Sequence, residues 1–564
     1  MKNSESGSVF SCSVRSDFAF LKQTPDLESL SVRGINLEGS RGMLFPVCGF
    51  QAGDRQLMSL LSTWGDGGSA EEAAQWLVRE VVEVPERVLF LVKDLYGNPM
   101  GQVGLREEAG REGWLEVCDV ASVNSPDAEV LISDALAALM RWARTTLWPE
   151  GFITRLGSSS ARAPQFYGKL GFVEKGGADG GSSHVVMEAE SDPVCNPGEK
   201  MILTAGPSIS AREASYAYDA ARYGWNAQWS KYLKTFEKGF AEYVGAKYAM
   251  ATSSCTGALH IALAALGIGP GDEVIVPDIT WVATANAVLY VGATPIFADI
   301  DPESWLLCPK SVREKITSRT KAIMPVHLYG HACDMDAIMA VAHEHGLYVV
   351  EDAAPSVGAE YHGKRTGSFG HFSCFSFQGA KLAVTGEGGM LLTSDPALYE
   401  KAYVIWDQGR KPGTFWIETN GLKYKMSNVQ AAVGLGQLER NDAMVAAKRR
   451  IFRWYEEGLA GVPHVRLNRE PEGTRSIYWM SSILVEESSP VSRDALGVAL
   501  KARNIDTRPV FPAISQYPVW PLKQSALPMA KFVGDHAMNL PSGVCLAREE
   551  VAYVCREIRR AVGG

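Results

Sequence analysis

Apolar and polar positions follow two different patterns along the chain. Before about residue 190, the apolar stretches RVLFLVKD (87–94) and MGQVGLRE (100–107) flank a Gly-Asn-Pro turn, which predicts an antiparallel hairpin. A third strand is expected at 114–122. A helix through ISDALAALMRWARTTLW and a short strand at 152–157 follow. The first part of the chain is therefore predicted to be an α+β unit in the order strand, strand, strand, helix, strand, helix, strand.

After about residue 200, short strands that are apolar on both faces alternate with helices. The strands are expected at 248–254, 272–278, 293–300, 321–329 and 347–354. Strands of this kind, separated by helices, predict a mainly parallel sheet that is covered on both sides. The last part, with a helix at 442–459 and a strand at 481–487, is expected to form a smaller α+β domain.

The boundary between the two patterns is the segment SDPVCNPGEK (191–200), which is polar, contains two prolines and has no periodicity. We therefore predict domains at 1–190, 201–440 and 441–564, with a linker at 191–200. The Gly/Ser-rich run at 176–183 is expected to be a hairpin turn within the first domain.

Composition narrows the class of protein. The 564 residues are 46% apolar and 21% charged, which is typical of a soluble chain of several domains. A net charge of −9 lacks the basic excess of a nucleic-acid binder. No signal peptide and no run of 18 apolar residues is evident, so we expect a cytoplasmic chain without a membrane span. The ten cysteines lack the spacing of a metal site.

Three residues near the middle of the chain suit pyridoxal phosphate (PLP), which needs a lysine to hold it, an acid for its ring nitrogen and a phosphate clamp. Asp352 ends the apolar strand LYVVED, at the sheet edge where parallel folds place functional groups. Lys381 follows in a Gly-rich, apolar stretch that favours a desolvated amine of lowered pKa. Ser376, five residues before the lysine, could donate to the phosphate.

A phosphate position is also expected where SSCTGALH (253–260) passes from a strand into a helix, because the backbone N–H groups of Thr256 and Gly257 can receive an anion there. Each residue alone has a simpler explanation, such as a surface lysine or a helix-capping aspartate. Together, these residues predict a PLP site, because they occur in this order and each one has a role that PLP requires.

The series GDEVIVPDITWVATANAV, EDAAPSVGAEYHGKRTGSFGHFSCFSFQGAKLAVTGEGG and YKMSNVQAAVGLGQLER resembles the DegT/DnrJ-type nucleotide-sugar aminotransferases of PLP fold type I, over nearly all of residues 200–564. The resemblance implies an α/β fold with a mainly parallel seven-stranded sheet and a small α+β C-terminal domain. It also implies that Lys381 is the Schiff-base residue, that Asp352 pairs with the pyridine nitrogen, and that Ser376 and Thr256 hold the phosphate.

Two further roles are implied by the resemblance. Trp281 matches an aromatic residue that stacks on the cofactor, and Asn428 matches an asparagine that reaches the phosphate from a second subunit, so a homodimer is expected. As alternatives, Trp281 could be a core aromatic and Asn428 a helix cap. Pro355 stands where relatives carry Gln or Glu, and Ser356 is the available substitute. A lysine at 381, where a dehydrating branch of the family has histidine, favours transamination.

The segments at 415–428, 476–484 and 505–512 look most like enzymes that make 4-amino-4,6-dideoxy sugars. The resemblance therefore implies L-glutamate as amino donor and a nucleotide-linked keto sugar, a 4-keto-6-deoxyhexose, as acceptor. Arg508 suits the diphosphate, or equally a surface ion pair. The alternative function is a PLP-binding regulatory protein or pseudo-enzyme that turns over no sugar.

Residues 85–190 resemble the GNAT acetyltransferases, most clearly in ARAPQFYGKLGFVEKG (161–176). The resemblance implies acetyl-CoA as a second cofactor and N-acetylation of the amino sugar. However, the stretch 124–136 has no glycine where such enzymes bring backbone amides to the CoA pyrophosphate. Tyr167 matches a proton donor in some relatives and is equally explained as a packed aromatic. An active acetyltransferase and a silent accessory domain are both left open.

Overall fold

The structure, a computed structural model, describes residues 35–36, 42–46, 69–94, 99–122, 126–147, 149–157, 163–175, 184–189, 198 and 200–563. The chain divides into two compact units, residues 1–195 with 208–215 and residues 196–207 with 216–564. The predicted turn at 176–183 and most of the predicted linker at 191–200 lie outside the described residues.

The N-terminal unit is one eight-stranded sheet with helices. Its order is β1-β2-β3-β4-β5-β6-β8-β7, and only β5 and β6 pair in parallel. The predicted hairpin, third strand, long helix and fourth strand are confirmed, whereas β1, β2 and α1 were not predicted. The elements are β1 Ile35–Asn36, β2 Gly42–Pro46, α1 Ala70–Leu77, β3 Arg87–Asp94, β4 Pro99–Glu107, β5 Trp114–Ser122, α2 Pro126–Thr146, β6 Gly151–Gly157, α3 Ala163–Gly168, β7 Val173–Glu174 and β8 His184–Ala189.

The larger part of the C-terminal unit is a seven-stranded sheet in the order β11-β10-β12-β13-β16-β17-β9, parallel except for β17. This confirms the expected fold. Its strands are β9 Tyr248–Thr252, β10 Glu273–Pro277, β11 Thr294–Ala298, β12 Thr320–Ile323, β13 Tyr348–Asp352, β16 Phe372–Ser376 and β17 Gly389–Thr393, and the short β14 Glu360–Tyr361 and β15 Lys364–Arg365 lie in a separate sheet.

Helices precede and separate the strands of this sheet. They are α4 Ala211–Tyr223, α5 Lys231–Val244, α6 Cys255–Ala265, α7 Ala283–Tyr290, α8 Pro309–Lys315, α9 Met335–His345, α10 Pro396–Trp406 and α11 Asn428–Glu439. Helix α6 is apolar almost all round and lies in the core with strands β10, β13 and β16. Because the parallel strands share one direction, their carboxyl ends meet at one edge of the sheet.

The remaining elements form the smaller C-terminal part. They are α12 Asn441–Leu459, β18 Val465–Leu467, β19 Thr474–Arg475, β20 Ser482–Val485, α13 Arg493–Lys501, β21 Arg508–Pro509, α14 Pro528–His536, β22 Ala537–Asn539 and α15 Arg548–Val562. The boundary at residue 201 stays a prediction. Ile202, just after it, pairs with Ile505 and belongs to the hydrophobic core of this smaller part.

The described part of the chain has neither a membrane-spanning helix nor a metal-binding cluster. None of its helices is long and apolar enough to span a membrane. Nor do its His, Cys, Asp and Glu side chains form a group that could hold a metal ion.

Candidate active site

Asp352 is the last residue of β13, at the carboxyl edge of the sheet. Its carboxylate is buried and accepts hydrogen bonds from the hydroxyl of Thr284 at 2.7 Å and from the N–H of Ala354 at 3.1 Å. Burial raises the pKa of Asp352, while the Thr284 hydroxyl and the nearby Lys381 favour its charged form. The structure therefore places a buried, oriented carboxyl group where the sequence predicts the partner of the ring nitrogen.

Lys381 lies in the turn that follows β16 and faces the same edge. Its Nζ is 3.7 Å from the centroid of the Trp479 ring, and burial lowers the pKa of Lys381 to about 8, against the opposing charge of Asp352. A surface lysine would keep its ordinary pKa near 10.4. The position of the amine against the Trp479 ring disfavours the alternative of a solvated surface charge, and the lowered pKa makes the neutral form more accessible.

Four aromatic rings form a continuous wall that ends at Lys381. The ring of Trp281 is 5.6 Å from that of Phe511, which is 5.7 Å from Tyr329, which in turn is 6.0 Å from Trp479. Trp281 is 60% exposed, so the alternative of a core aromatic does not hold. An exposed ring beside the sheet edge can stack on a planar ligand.

The first turn of α6 lies where the sequence predicts an anion position, and one part of that prediction needs a correction. Ser254 caps the helix, and its hydroxyl accepts the N–H of Gly257 at 3.0 Å. The prediction that Gly257 offers its N–H to a phosphate is not supported by this geometry, because the cap already uses that group. Gly257 has a packing role instead, since a Cβ there would lie 2.9 Å from the Tyr424 ring. Thr256 remains in the first turn, where N–H groups lack a partner within the helix.

Ser376 lies beside this turn because of a glycine on the next strand. Ser376 ends β16 and is opposite Gly389 of β17, which is itself opposite Thr252 of β9. A Cβ on Gly389 would lie 2.6 Å from the backbone of Ser254 and Cys255. The absence of a side chain therefore lets the start of α6 lie directly on the sheet, so that a hydroxyl and a helix N-terminus are brought together.

Asn428 is not the N-terminal cap of α11. That cap is Ser427, whose hydroxyl accepts the N–H of Gln430. The Asn428 side-chain oxygen instead accepts the N–H groups of Tyr232 at 3.0 Å and Leu233 at 3.4 Å, and so caps α5. Its Nδ2 is buried and has no hydrogen-bond partner among the described residues.

The Arg508 side chain is accessible to a ligand, whereas the Ser356 hydroxyl is already hydrogen-bonded within the protein. Arg508 is 59% exposed and its Nε is 3.9 Å from Asp506, so the ion pair is weak and the guanidinium stays accessible. The Ser356 hydroxyl is buried, donates to the carbonyl of Ala353 and shares a hydrogen bond with Thr366. Ser356 therefore does not replace the side chain lost at Pro355.

Comparison with known proteins identifies the family to which this chain belongs. The family model described as the DegT/DnrJ/EryC1/StrS aminotransferase family matches residues 207–559. The chain belongs to this family. GDP-perosamine synthase of Caulobacter vibrioides is 42% identical over 361 residues, which are 63% of this chain and 96% of that protein.

Solved structures agree with this assignment. The aminotransferase TlmJ from Streptoalloteichus hindustanus is 31% identical with a TM-score of 0.61, over 64% of this chain and 99% of that one. Spr1654 from Streptococcus pneumoniae, solved in a PLP form, is 25% identical with a TM-score of 0.61, over 64% and 99% of the two chains. The chain is a PLP-dependent sugar aminotransferase of fold type I, and the family model leaves residues 1–206 outside its match.

The residues of this aminotransferase fit PLP on chemical grounds. A lysine of lowered pKa, a buried carboxyl group and a helix N-terminus beside a serine supply the three contacts that the cofactor needs. Lys381 would hold the aldehyde carbon, Asp352 the ring nitrogen, and Thr256 and Ser376 the phosphate. Trp281 would lie on the ring.

Four side chains of the site were missed by reasoning from the sequence: Thr284, Tyr329, Trp479 and Phe511. Thr284 had a local signal, since it follows Trp281 by three residues; its hydroxyl donates to Asp352 and lies 3.2 Å from the Trp281 carbonyl oxygen. Tyr329 and Trp479 had none. Tyr329 adopts a left-handed φ of 53° in a buried turn, and its contact with Trp479 joins distant parts of the chain.

Proposed function

We propose that this aminotransferase moves an amino group from L-glutamate to a nucleotide-linked keto sugar, a 4-keto-6-deoxyhexose. The observation that carries the proposal is the 42% identity to a GDP-perosamine synthase over almost the whole of that protein, with Lys381 and Asp352 at one sheet edge. GDP-perosamine synthases of Escherichia coli O157:H7 and Vibrio cholerae are 41% and 38% identical.

Each side chain then has a defined task. PLP, when bound, supplies a ring that accepts the electrons of the bond broken at the amino carbon. Lys381 would anchor the cofactor and would move a proton as a neutral amine, which its pKa of about 8 permits close to neutral pH. Asp352 would keep the proton on the ring nitrogen. The bond from Thr284 orients Asp352 for this task.

The sugar and its nucleotide are recognised by groups around the lysine. The wall formed by Trp281, Phe511, Tyr329 and Trp479 excludes water on one side. Arg508 is exposed and suits the diphosphate, since a guanidinium binds such oxygens with two parallel hydrogen bonds. A homodimer completes the site in this proposal, with Asn428 of the second subunit at the phosphate.

The test is a screen of nucleotide-linked keto sugars with PLP and ¹⁵N-labelled glutamate. The expected result is a sugar product whose mass shows one ¹⁵N amino group, together with 2-oxoglutarate. No labelled sugar from any keto sugar, combined with no conversion of glutamate, would favour the regulatory PLP-binding protein instead.

We also propose a second activity, N-acetylation of the product from acetyl-CoA by the GNAT-like residues 85–190. The observation that favours it is the parallel pair β5 and β6, which share only three paired positions at Trp114–Glu116 although both strands continue. Beyond these positions the two strands no longer pair directly, and the Thr154 hydroxyl donates to the Val117 carbonyl at 3.1 Å in place of a backbone N–H.

Tyr167 lies beside the same region of the sheet. Its phenol is a weak acid, so it donates its proton only to a strongly basic group. It is buried between the rings of Phe166 and Phe172, and burial raises the pKa of Tyr167 to about 12. Acetyl-CoA added after transamination should increase the product mass by one acetyl group. An unchanged product, with no heat of binding of acetyl-CoA to the full chain, would leave these residues as a silent accessory domain.

A further inference from the structure

Lys448 on α12 is a buried amine that the reaction described above does not use. It is 5% exposed, and its Nζ donates to the carbonyl oxygens of Trp479, at 2.6 Å, and of Ser542. Burial lowers the pKa of Lys448 to about 7. A neutral amine still has two N–H groups, which is the number that two carbonyl oxygens require.

The residue that Lys448 holds covers the amine of Lys381. Trp479 is 7% exposed, its ring centroid is 3.7 Å from the Lys381 Nζ, and its indole N–H donates to the carbonyl of Ala380 at 2.8 Å. Trp479 is thus fixed at two points. Its indole N–H donates to the turn that carries Lys381, and its backbone carbonyl accepts a hydrogen bond from Lys448. Without Lys448, a buried carbonyl would lack a partner, and such groups turn toward water.

We propose that Lys448 is a positioning residue, which holds the Trp479 indole over Lys381 and so keeps water away from that amine. The proposal rests on the role of Lys381 proposed above. Its consequence is that a residue of the small C-terminal part sets the protonation of the catalytic lysine, although it touches neither cofactor nor substrate.

A purely structural role for Lys448 is the explanation to exclude, and the chain offers a matched control. Tyr455 lies on the same helix, is fully buried and donates its hydroxyl to the carbonyl of Pro541 at 2.9 Å, next to Ser542. Tyr455→Phe therefore removes a hydrogen bond between the same helix and the same segment, but leaves Trp479 untouched.

The test measures the pKa of the Lys381 amine in the full chain without PLP, by competitive acetylation over a range of pH and mass spectrometry of the peptide. The wild type should titrate near pH 8. Lys448→Met should raise this value by about one pH unit, because hydration returns an amine toward its ordinary pKa. Tyr455→Phe should leave it unchanged. The other titratable groups that act on the two lysines, Asp352 and Cys255 for Lys381 and Cys545 for Lys448, are present in every variant.

A double-mutant cycle completes the test. Trp479→Phe alone should raise the pKa of Lys381, and adding Lys448→Met should raise it little further, since both changes act through one contact. Additive shifts, no shift in Lys448→Met, or an equal shift in Tyr455→Phe would overturn the proposal. Should Lys448→Met fail to fold, Lys448→Gln, which keeps N–H donors on a shorter side chain, takes its place and should give an intermediate rise.

The failure of the two proposals can be told apart. If PLP attaches to another lysine in the wild type, the role of Lys381 is wrong whatever the labelling shows. If PLP attaches to Lys381 but the labelling shows no dependence on Lys448, only the positioning role is wrong.

Discussion

At the scale of single residues, the site depends on how buried charges are compensated. Asp352 is buried, and the hydroxyl of Thr284 and the N–H of Ala354 are the groups that favour its charged form by hydrogen bonding. A hydrogen bond to a charged group contributes about 1.5 to 3 kcal/mol. The Thr284 hydroxyl therefore favours the ionised form of this carboxyl group.

Thr284→Val is expected to shift the acid limb of the activity profile toward higher pH by about one unit, because the lost hydrogen bond raises the pKa of Asp352 further. The measurement is kcat/KM against pH with a fixed keto sugar. Thr284→Ser keeps the hydroxyl and should retain the wild-type profile. An unshifted acid limb in Thr284→Val would show that Thr284 does not control Asp352.

At the scale of elements, the start of α6 depends on close contact with β17. Gly389 allows that contact, since a Cβ there would meet backbone atoms at 2.6 Å, and backbone cannot move as a flexible side chain does. The phosphate position is thus built by a strand that carries no functional side chain at this point.

Gly389→Ala is expected to weaken PLP binding by at least about tenfold, because the displaced first turn of α6 no longer directs its N–H groups at the phosphate. Titration of PLP into the cofactor-free protein, followed by quenching of tryptophan fluorescence, measures the effect. Gly269→Ala is the control, because its added Cβ would lie at an ordinary 3.7 Å from its nearest neighbour. Equal affinity in the two variants would contradict this role of Gly389.

Asn428 has a second, structural task within one chain, the capping of α5. Asn428→Ala is expected to lower the free energy of unfolding by about 1 kcal/mol, as the loss of a cap does. Denaturant unfolding with and without PLP separates this effect from cofactor binding. If Asn428 also reaches the partner's phosphate, the loss of stability should be larger with PLP bound; an equal loss in both states would leave it as a cap alone.

Sequence reasoning succeeded where the signal is local and failed where it is not. Asp352 was predictable because a carboxylate ending an apolar strand of a parallel sheet lies at the functional edge, and Lys381 because it follows in an apolar, glycine-rich stretch. The contact of Trp479 with Lys381 and the bond from Lys448 were not predictable, because they join segments far apart in the chain. Gly257 was assigned to phosphate binding because the N–H groups of a first helical turn can receive an anion, whereas in the structure its N–H donates to the capping hydroxyl of Ser254.

At the scale of the whole molecule, the residues that one chain is proposed to contribute to the PLP site lie within the unit formed by residues 196–207 and 216–564. Its carboxylate, lysine, serine and helix N-terminus all come from the large sheet and its helices. The smaller C-terminal part contributes Trp479, Phe511, Arg508 and Lys448.

A chain that begins at residue 196 is therefore expected to keep transamination and to lose any acetyl transfer. The kcat/KM for the keto sugar should remain within about threefold of the full chain, since each contact of the PLP site is internal to the second unit. Acetylation of the product, where the full chain shows it, should be absent. Loss of transamination in a folded shortened chain would show that the first unit completes the aminotransferase site.

The central claim, that Lys381 carries the cofactor, is tested most directly by reducing the PLP-loaded protein with borohydride and mapping the modified peptide. The account predicts one phosphopyridoxyl group on the peptide that contains Lys381 and none on Lys381→Ala. A label on any other lysine, or an unchanged label in the Lys381→Ala variant, would contradict it.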